Sequence, residues 1–167
     1  MFIRGGYVMA LFSSIAISRT QTLIDRTLGT AIGNMTGSGG LAAAFDGVTN
    51  QAAAACAELA SVTTSYIGKN WGTPKLVNGF RAYAPNNVAF NGNASQITVT
   101  LLGNSTNDTA TATTLGSVGP TADSTGLVIT KLTGITAALY QYHWLKLTAD
   151  LGGANNRIAE AQFFEDV

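Results

Sequence analysis

The sequence predicts an all-β protein built as an antiparallel sandwich or barrel, and three observations carry that expectation. Short apolar runs separated by clusters of Gly, Pro, Asn and Thr recur from residue 65 to the end of the chain. Two of those runs alternate: Ile97, Val99 and Leu101 against Gln96, Thr98 and Thr100, and His143, Leu145, Leu147 and Ala149 against Tyr142, Trp144, Lys146 and Thr148. No segment sustains a helical period, so nothing supplies the crossover helices that a parallel sheet needs.

Residues 1–35 are expected to form an N-terminal arm ahead of a domain spanning 36–167. Residues 7–17 are mostly apolar, but Gly5-Gly6 and Ser13-Ser14 interrupt the pattern of a signal peptide. The run is far short of the roughly 20 apolar residues that cross a bilayer. Such an arm either docks onto a partner or sister subunit, or supplies the first strand of the same sheet. Residues 33–40, rich in Gly, Ser and Asn, read as a loop, and the Ala-rich residues 51–59 as a turn or two of helix.

Strands follow in order. Residues 65–71 form one, ended by the turn signal Gly72-Thr73-Pro74. Residues 76–84 form another, where Gly79 marks a bulge or a close backbone approach. Residues 96–102, 113–118 and 127–132 are strands separated by polar loops. Residues 142–149 and 157–164 close the chain as an expected strand pair across Gly152-Gly153.

Composition narrows the function classes. Charged residues are 11% of the chain, against about 25% in an ordinary soluble domain. Nine basic residues balance nine acidic ones without forming a run, so the electrostatic footprint of a nucleic-acid binder is missing. The lone Cys56 reads as a small buried apolar residue. One His, no nucleophile motif and no glycine-rich phosphate loop argue against an enzyme.

Ala44-Phe45-Asp46-Gly47, then Tyr66-Ile67-Gly68-Lys69-Asn70-Trp71-Gly72-Thr73-Pro74-Lys75-Leu76-Val77-Asn78-Gly79-Phe80-Arg81-Ala82-Tyr83-Ala84-Pro85, resembles the discoidin or coagulation-factor type C domain. The later pieces Ile97 to Gly103, Thr114-Leu115-Gly116, Tyr142 to Leu147 and Arg157 to Phe164 keep that family's order. The resemblance implies a galactose-binding-like jelly roll, an antiparallel sandwich of about eight strands. It also implies a structural calcium held by Asp46, the backbone around Val48 to Asn50 with Asn50 itself, and Glu160. Calcium takes six to eight oxygens, which carboxylates and carbonyls of a tight loop provide. Val48 stands where the family carries Asp or Asn, which weakens that set; the alternative is an Asx turn at Asp46 and a Glu160 with another partner.

The resemblance places ligand contacts in loops at one end of the sandwich. The candidates here are loop 86–95, from Asn86 to Ser95, rich in Asn, and loop 104–112, from Asn104 to Ala112, rich in Asn, Ser and Thr. Trp71 is expected to fill space between the sheets and His143 to be a hydrogen-bonded histidine, neither contacting a ligand. The expected function is a non-catalytic structural or adhesion protein of a larger assembly, a bacteriophage virion component (capsid, collar or tail) displaying a glycan-binding jelly roll. In that reading residues 1–35 dock onto other virion proteins, the chain is oligomeric and does not span a membrane, and cell-surface glycans are partners. The alternative is a free-standing or secreted, extracellular carbohydrate-binding module.

Overall fold

A computed structural model describes residues 20–166. Two antiparallel sheets face one another. The smaller orders its strands β1 (Gln21–Leu23), β12 (Glu160–Asp166), β6 (Gly79–Tyr83) and β9 (Val128–Lys131). The larger orders β2 (Thr30–Gly33), β5 (Thr64–Val77), β10 (Ala138–Ala149), β7 (Gln96–Asn104) and β8 (Thr113–Ala122). A three-stranded ribbon of β3 (Gly37–Ser38), β4 (Ala57–Leu59) and β11 (Asn156–Ile158) completes the sheets, and α1 (Gly40–Ala43) is a single turn. The expected jelly-roll sandwich is present.

The alternation in the sequence decides which face each strand buries. Ile67, Val99, Leu101, Leu145 and Leu147 of the larger sheet meet Phe80, Ala82, Ile129 and Phe163 of the smaller one, all essentially inaccessible to solvent. Phe80 and Phe163 are direct cross-strand partners, and truncating either to Ala costs about 3–5 kcal/mol on core precedent. Gly79 lets the chain pass from the larger sheet to the smaller: a Cβ there would stand 3.0 Å from the Cβ of Phe164. The close approach at Gly79 is thus to side chains, Phe164 and Gln21 Oε1 at 2.9 Å, rather than to the backbone expected from the sequence.

Four expectations need correction. The arm boundary at residue 35 falls inside the sandwich, because β1 pairs with β12 and β2 pairs with β5; residues 1–19 lie outside the described residues. Strand β5 runs on through Gly72-Thr73-Pro74, where residues 71–74 bulge opposite Gln141 and pairing resumes at Lys75 with Tyr140. Residues 51–59 hold one 3-10 turn, Ala53–Ala55, and then β4. The two closing runs do not pair: β10 lies in the larger sheet and β12 in the smaller, so residues 150–155 cross between sheets.

Candidate functional site

The open face of the larger sheet is where residues of site-forming chemistry converge. With Leu145 and Leu147 turned inward, β10 turns Tyr142, Trp144, Lys146 and Thr148 to the other face, where Tyr142, Lys146 and Thr148 are half-buried and Trp144 is covered. Register fixes their neighbours: Lys146 lies between Tyr66 of β5 and Thr100 of β7, and Thr100 faces Ser117 of β8. One step along, Trp144 lies between Gly68 and Leu102. Gly68 is needed there, since a Cβ would come within 2.8 Å of the Trp144 ring and 2.1 Å of the His143 carbonyl oxygen. Tyr142 stacks on Trp144 at 5.9 Å between centroids and 12° between planes.

Two adjoining concavities lie on this face. One of about 320 Å³ is lined by Asn34, Tyr66, Asn107, Asp108, Thr109 and Trp144 together with Gly33. The other, about 340 Å³, is lined by Tyr66, Thr100, Thr109, Thr114, Ser117 and Lys146 among others. Tyr66 and Thr109 belong to both, so the two form one groove of a size that suits a saccharide. Asn34 locks the edge strand beside Tyr66: its Oδ1 accepts the Tyr66 N–H at 2.8 Å and its N–H donates to the Tyr66 carbonyl at 3.1 Å.

Loop 104–112 forms one wall. The Asn104 Nδ2 donates to the Asp108 carbonyl at 2.8 Å and to Thr111 Oγ1 at 3.0 Å. The Asp108 carboxylate accepts from the Thr111 hydroxyl at 2.8 Å and from the Ala110 N–H at 2.9 Å, which holds its pKa below the usual carboxylate range. The loop is thus braced from within, and most of its side chains stay exposed.

Loop 86–95 does not join it. It precedes β7 whereas loop 104–112 follows it, and the nine residues of β7, Gln96 to Asn104, separate the two loops by about 27 Å at ~3.4 Å per step. Asn91 turns inward while Asn86, Asn87, Asn93 and Ser95 stay exposed: the Asn91 Nδ2 donates to Asn156 Oδ1 at 2.7 Å, and Asn91 Oδ1 accepts the Ala94 N–H at 3.1 Å. Asn156 in turn donates to Ser65 Oγ at 3.1 Å, and Asp123 accepts the N–H groups of Phe90 and Asn91. Asn91, Asn156 and Ser65 are all fully buried. Of the two expected ligand loops, only 104–112 faces the groove. Sequence reasoning missed Asn34, Tyr66, Trp144 and Lys146 as lining residues, although the outward set of the 142–149 alternation already contained two of them.

Of the expected metal ligands, Asp46 and Glu160 come together and Asn50 does not. The Gly47 N–H donates to Glu160 Oε2 at 3.1 Å, and the Val48 N–H donates to Asp46 Oδ1 at 2.8 Å, which is the Asx turn. Asn50 is exposed, and its neighbour Gln51 reaches inward instead, its amide nitrogen donating to Asp46 Oδ2 and to the Ala43 carbonyl. Gln51 Oε1 is buried without a partner among the described residues. Burial, with the Asp46 charge adding to it, raises the Glu160 pKa to about 7. No group of three or more His, Cys, Asp or Glu side chains able to hold a metal occurs among the described residues. Turning the Gln51 amide over would set Oε1 beside Asp46 Oδ2 and the Ala43 carbonyl, a set of oxygens of the kind that an oxygen-preferring cation takes.

Trp71 and His143 serve the interior. The Trp71 indole packs edge-on against Phe163 at 5.6 Å, and its Nε1–H donates to His143 Nδ1 at 3.0 Å. The acceptor role leaves the His143 proton on Nε2, and burial pulls the imidazole pKa down to about 4. Lys69 is buried beside them, donating to the Arg26 carbonyl at 2.8 Å with its ammonium 4.4 Å above the Phe45 ring. The cavity there, about 110 Å³, is well below saccharide size. The Cys56 thiol is buried, donates to the Ala53 carbonyl, and has its pKa raised to about 11 by burial.

The architecture is that of the discoidin-like, galactose-binding jelly rolls. A family 32 carbohydrate-binding module of C. perfringens NanJ, solved with galactose, superposes with a TM-score of 0.59 at 17% identity, over 87% of this chain and 100% of that one. A fucolectin from striped bass serum (Morone saxatilis) gives 0.66 at 15% identity, over 86% of this chain and 49% of the lectin. Truncated AlyQ, which joins a family 32 module to alginate lyase domains, gives 0.61 at 17% identity over 89% of this chain, which spans only 34% of that longer one. No protein-family model matches the chain, and no curated protein matches it in sequence.

Proposed function

We propose that this chain is a non-catalytic carbohydrate-binding module whose ligand lies in the groove on the open face of the larger sheet. The observation that carries this reading is the pair of adjoining concavities sharing Tyr66 and Thr109. A sugar ring offers hydroxyls around its rim and apolar C–H faces. The groove answers with the hydroxyls of Thr100, Thr114 and Ser117, the amides of Asn34 and Asn107, and the ring of Tyr66, with the covered Trp144 forming part of the floor. The likeness to sugar-binding modules agrees with it. The test is affinity electrophoresis of the full chain in gels of different polysaccharides. Retardation by at least one, abolished by Tyr66→Ala in a protein of unchanged fold, supports the reading; no retardation by any of them contradicts it.

Two further parts of the reading have their own tests. A structural calcium would be held by Asp46, Gln51 and Glu160 with the Ala43 carbonyl, where it would neutralise the two carboxylates and brace the loop. Calcium should then raise the melting temperature, and EDTA should reverse the rise; identical melting in both would dismiss the ion. Attachment to a larger assembly, such as a bacteriophage virion, rests on the apolar residues 7–17 of the sequence. Sedimentation separates this from a free or secreted module: the full chain should multimerise and a chain lacking residues 1–19 should not, whereas a monomer in both cases sinks the assembly reading.

A further inference from the structure

We propose that the groove selects acidic saccharides, with the carboxylate of a uronate-type residue seated on the Lys146 ammonium. The inference rests on the reading of the open face as a saccharide site. Lys146 stands in the middle strand of the larger sheet, flanked by Tyr66 and Thr100, and lines the larger concavity. It is half-buried, so its methylene stem packs on the sheet while its ammonium end stays accessible at the concavity it lines.

Three other half-buried or buried cations among the described residues are occupied, whereas Lys131, half-buried in the smaller sheet, is not. Lys69 donates to the Arg26 carbonyl, Lys75 pairs with Glu165 at 2.9 Å, and Arg157 pairs with Glu58 at 2.7 Å. Lys146 has no hydrogen-bond or ion-pair partner among the described residues. The one other charged side chain lining the groove, Asp108, belongs to the smaller concavity, and both its oxygens accept from its own loop. The larger concavity therefore holds one positive charge, ringed by the hydroxyls of Thr100, Thr114 and Ser117. That set offers an anionic sugar a charge-assisted hydrogen bond to its carboxylate and neutral ones to the hydroxyls beside it. A neutral sugar finds only the second.

Polygalacturonate and its carboxyl-reduced form share a backbone and linkage and differ in charge, so isothermal titration of the full chain with both isolates the effect. Polygalacturonate should bind about tenfold or more tightly than the reduced polymer, and the preference should shrink as NaCl rises from 0.05 to 0.5 M, as screening requires. Lys146→Met keeps the stem and removes the charge. It should abolish the preference, bringing polygalacturonate binding down to that of the reduced polymer with the melting temperature unchanged, and Lys146→Arg should keep most of the preference. Equal binding of the two polymers by the natural chain, or a preference that survives Lys146→Met, overturns the acidic specificity and leaves the saccharide site standing. Failure to bind either polymer, or any other polysaccharide, overturns both.

Discussion

Loops 86–95 and 104–112 are both polar and Asn-bearing, and they meet opposite fates. In the first, Asn91 is fully buried and joins Asn156 and Ser65 in a chain of side-chain hydrogen bonds that pins the loop beneath the sandwich. In the second, Asn104 and Asp108 brace a loop whose remaining side chains face solvent and the groove. Asn and Thr satisfy a buried backbone as readily as they bind a hydroxyl, so the direction a polar side chain takes, not its presence, separates scaffold from site.

The comparison breaks most sharply at Asn91. Asn91→Ala removes a buried donor and acceptor together and strands the Asn156 oxygen and the N–H groups of Asn93 and Ala94. The expected cost is about 3 kcal/mol in urea unfolding, with saccharide affinity unchanged in the folded fraction. Full stability in that variant would remove the scaffold role assigned to loop 86–95.

Buried His143 supplies a second inward case, read out by pH. Its pKa lies near 4 in the folded protein and near 6.5 when unfolded, so between those values the unfolded chain binds more protons. Its contribution is complete above about pH 6.5 and is lost as pH falls towards 4, about 3 kcal/mol in all. Glu160, raised to about 7, works the other way, its contribution present below about 4.5 and lost as pH rises through 7. The informative quantity is therefore the difference between the pH profiles of the natural chain and His143→Gln. That difference should grow towards neutral pH; parallel profiles would mean that His143 is hydrated.

Asn104→Ala is the mild outward counterpart. The loop it braces is exposed, so stability should change by about 0.5 kcal/mol or less. Saccharide affinity should fall several-fold as the wall of the groove loosens. A large stability loss without loss of affinity would reverse the roles assigned to the two loops.

Elements whose signal is local were readable before the fold. The alternation in residues 96–102 and 142–149 separated inner from outer faces, and the family resemblance, not a local signal, set the Phe-Asp-Gly motif beside Glu160. What escaped depends on partners far along the chain. The turn signal at Gly72-Thr73-Pro74 became a bulge because β10 resumes pairing on its far side. Tyr66, Thr100, Ser117 and Lys146 became one row only through the register of four strands. Gln51 rather than Asn50 turned inward because the chain between Asp46 and the 3-10 turn at Ala53 points residue 51 back to the Ala43 carbonyl.

The central claim, that the open face of the larger sheet is the site, is tested most directly by mapping backbone and side-chain resonances during titration with an oligosaccharide that the chain binds. Shifts should concentrate on Asn34, Tyr66, Thr100, Trp144, Lys146 and residues 107–109, leaving residues 86–95 still. Shifts confined to residues 86–95 and 150–155, at the far end of β7, with the open face silent, would contradict the account.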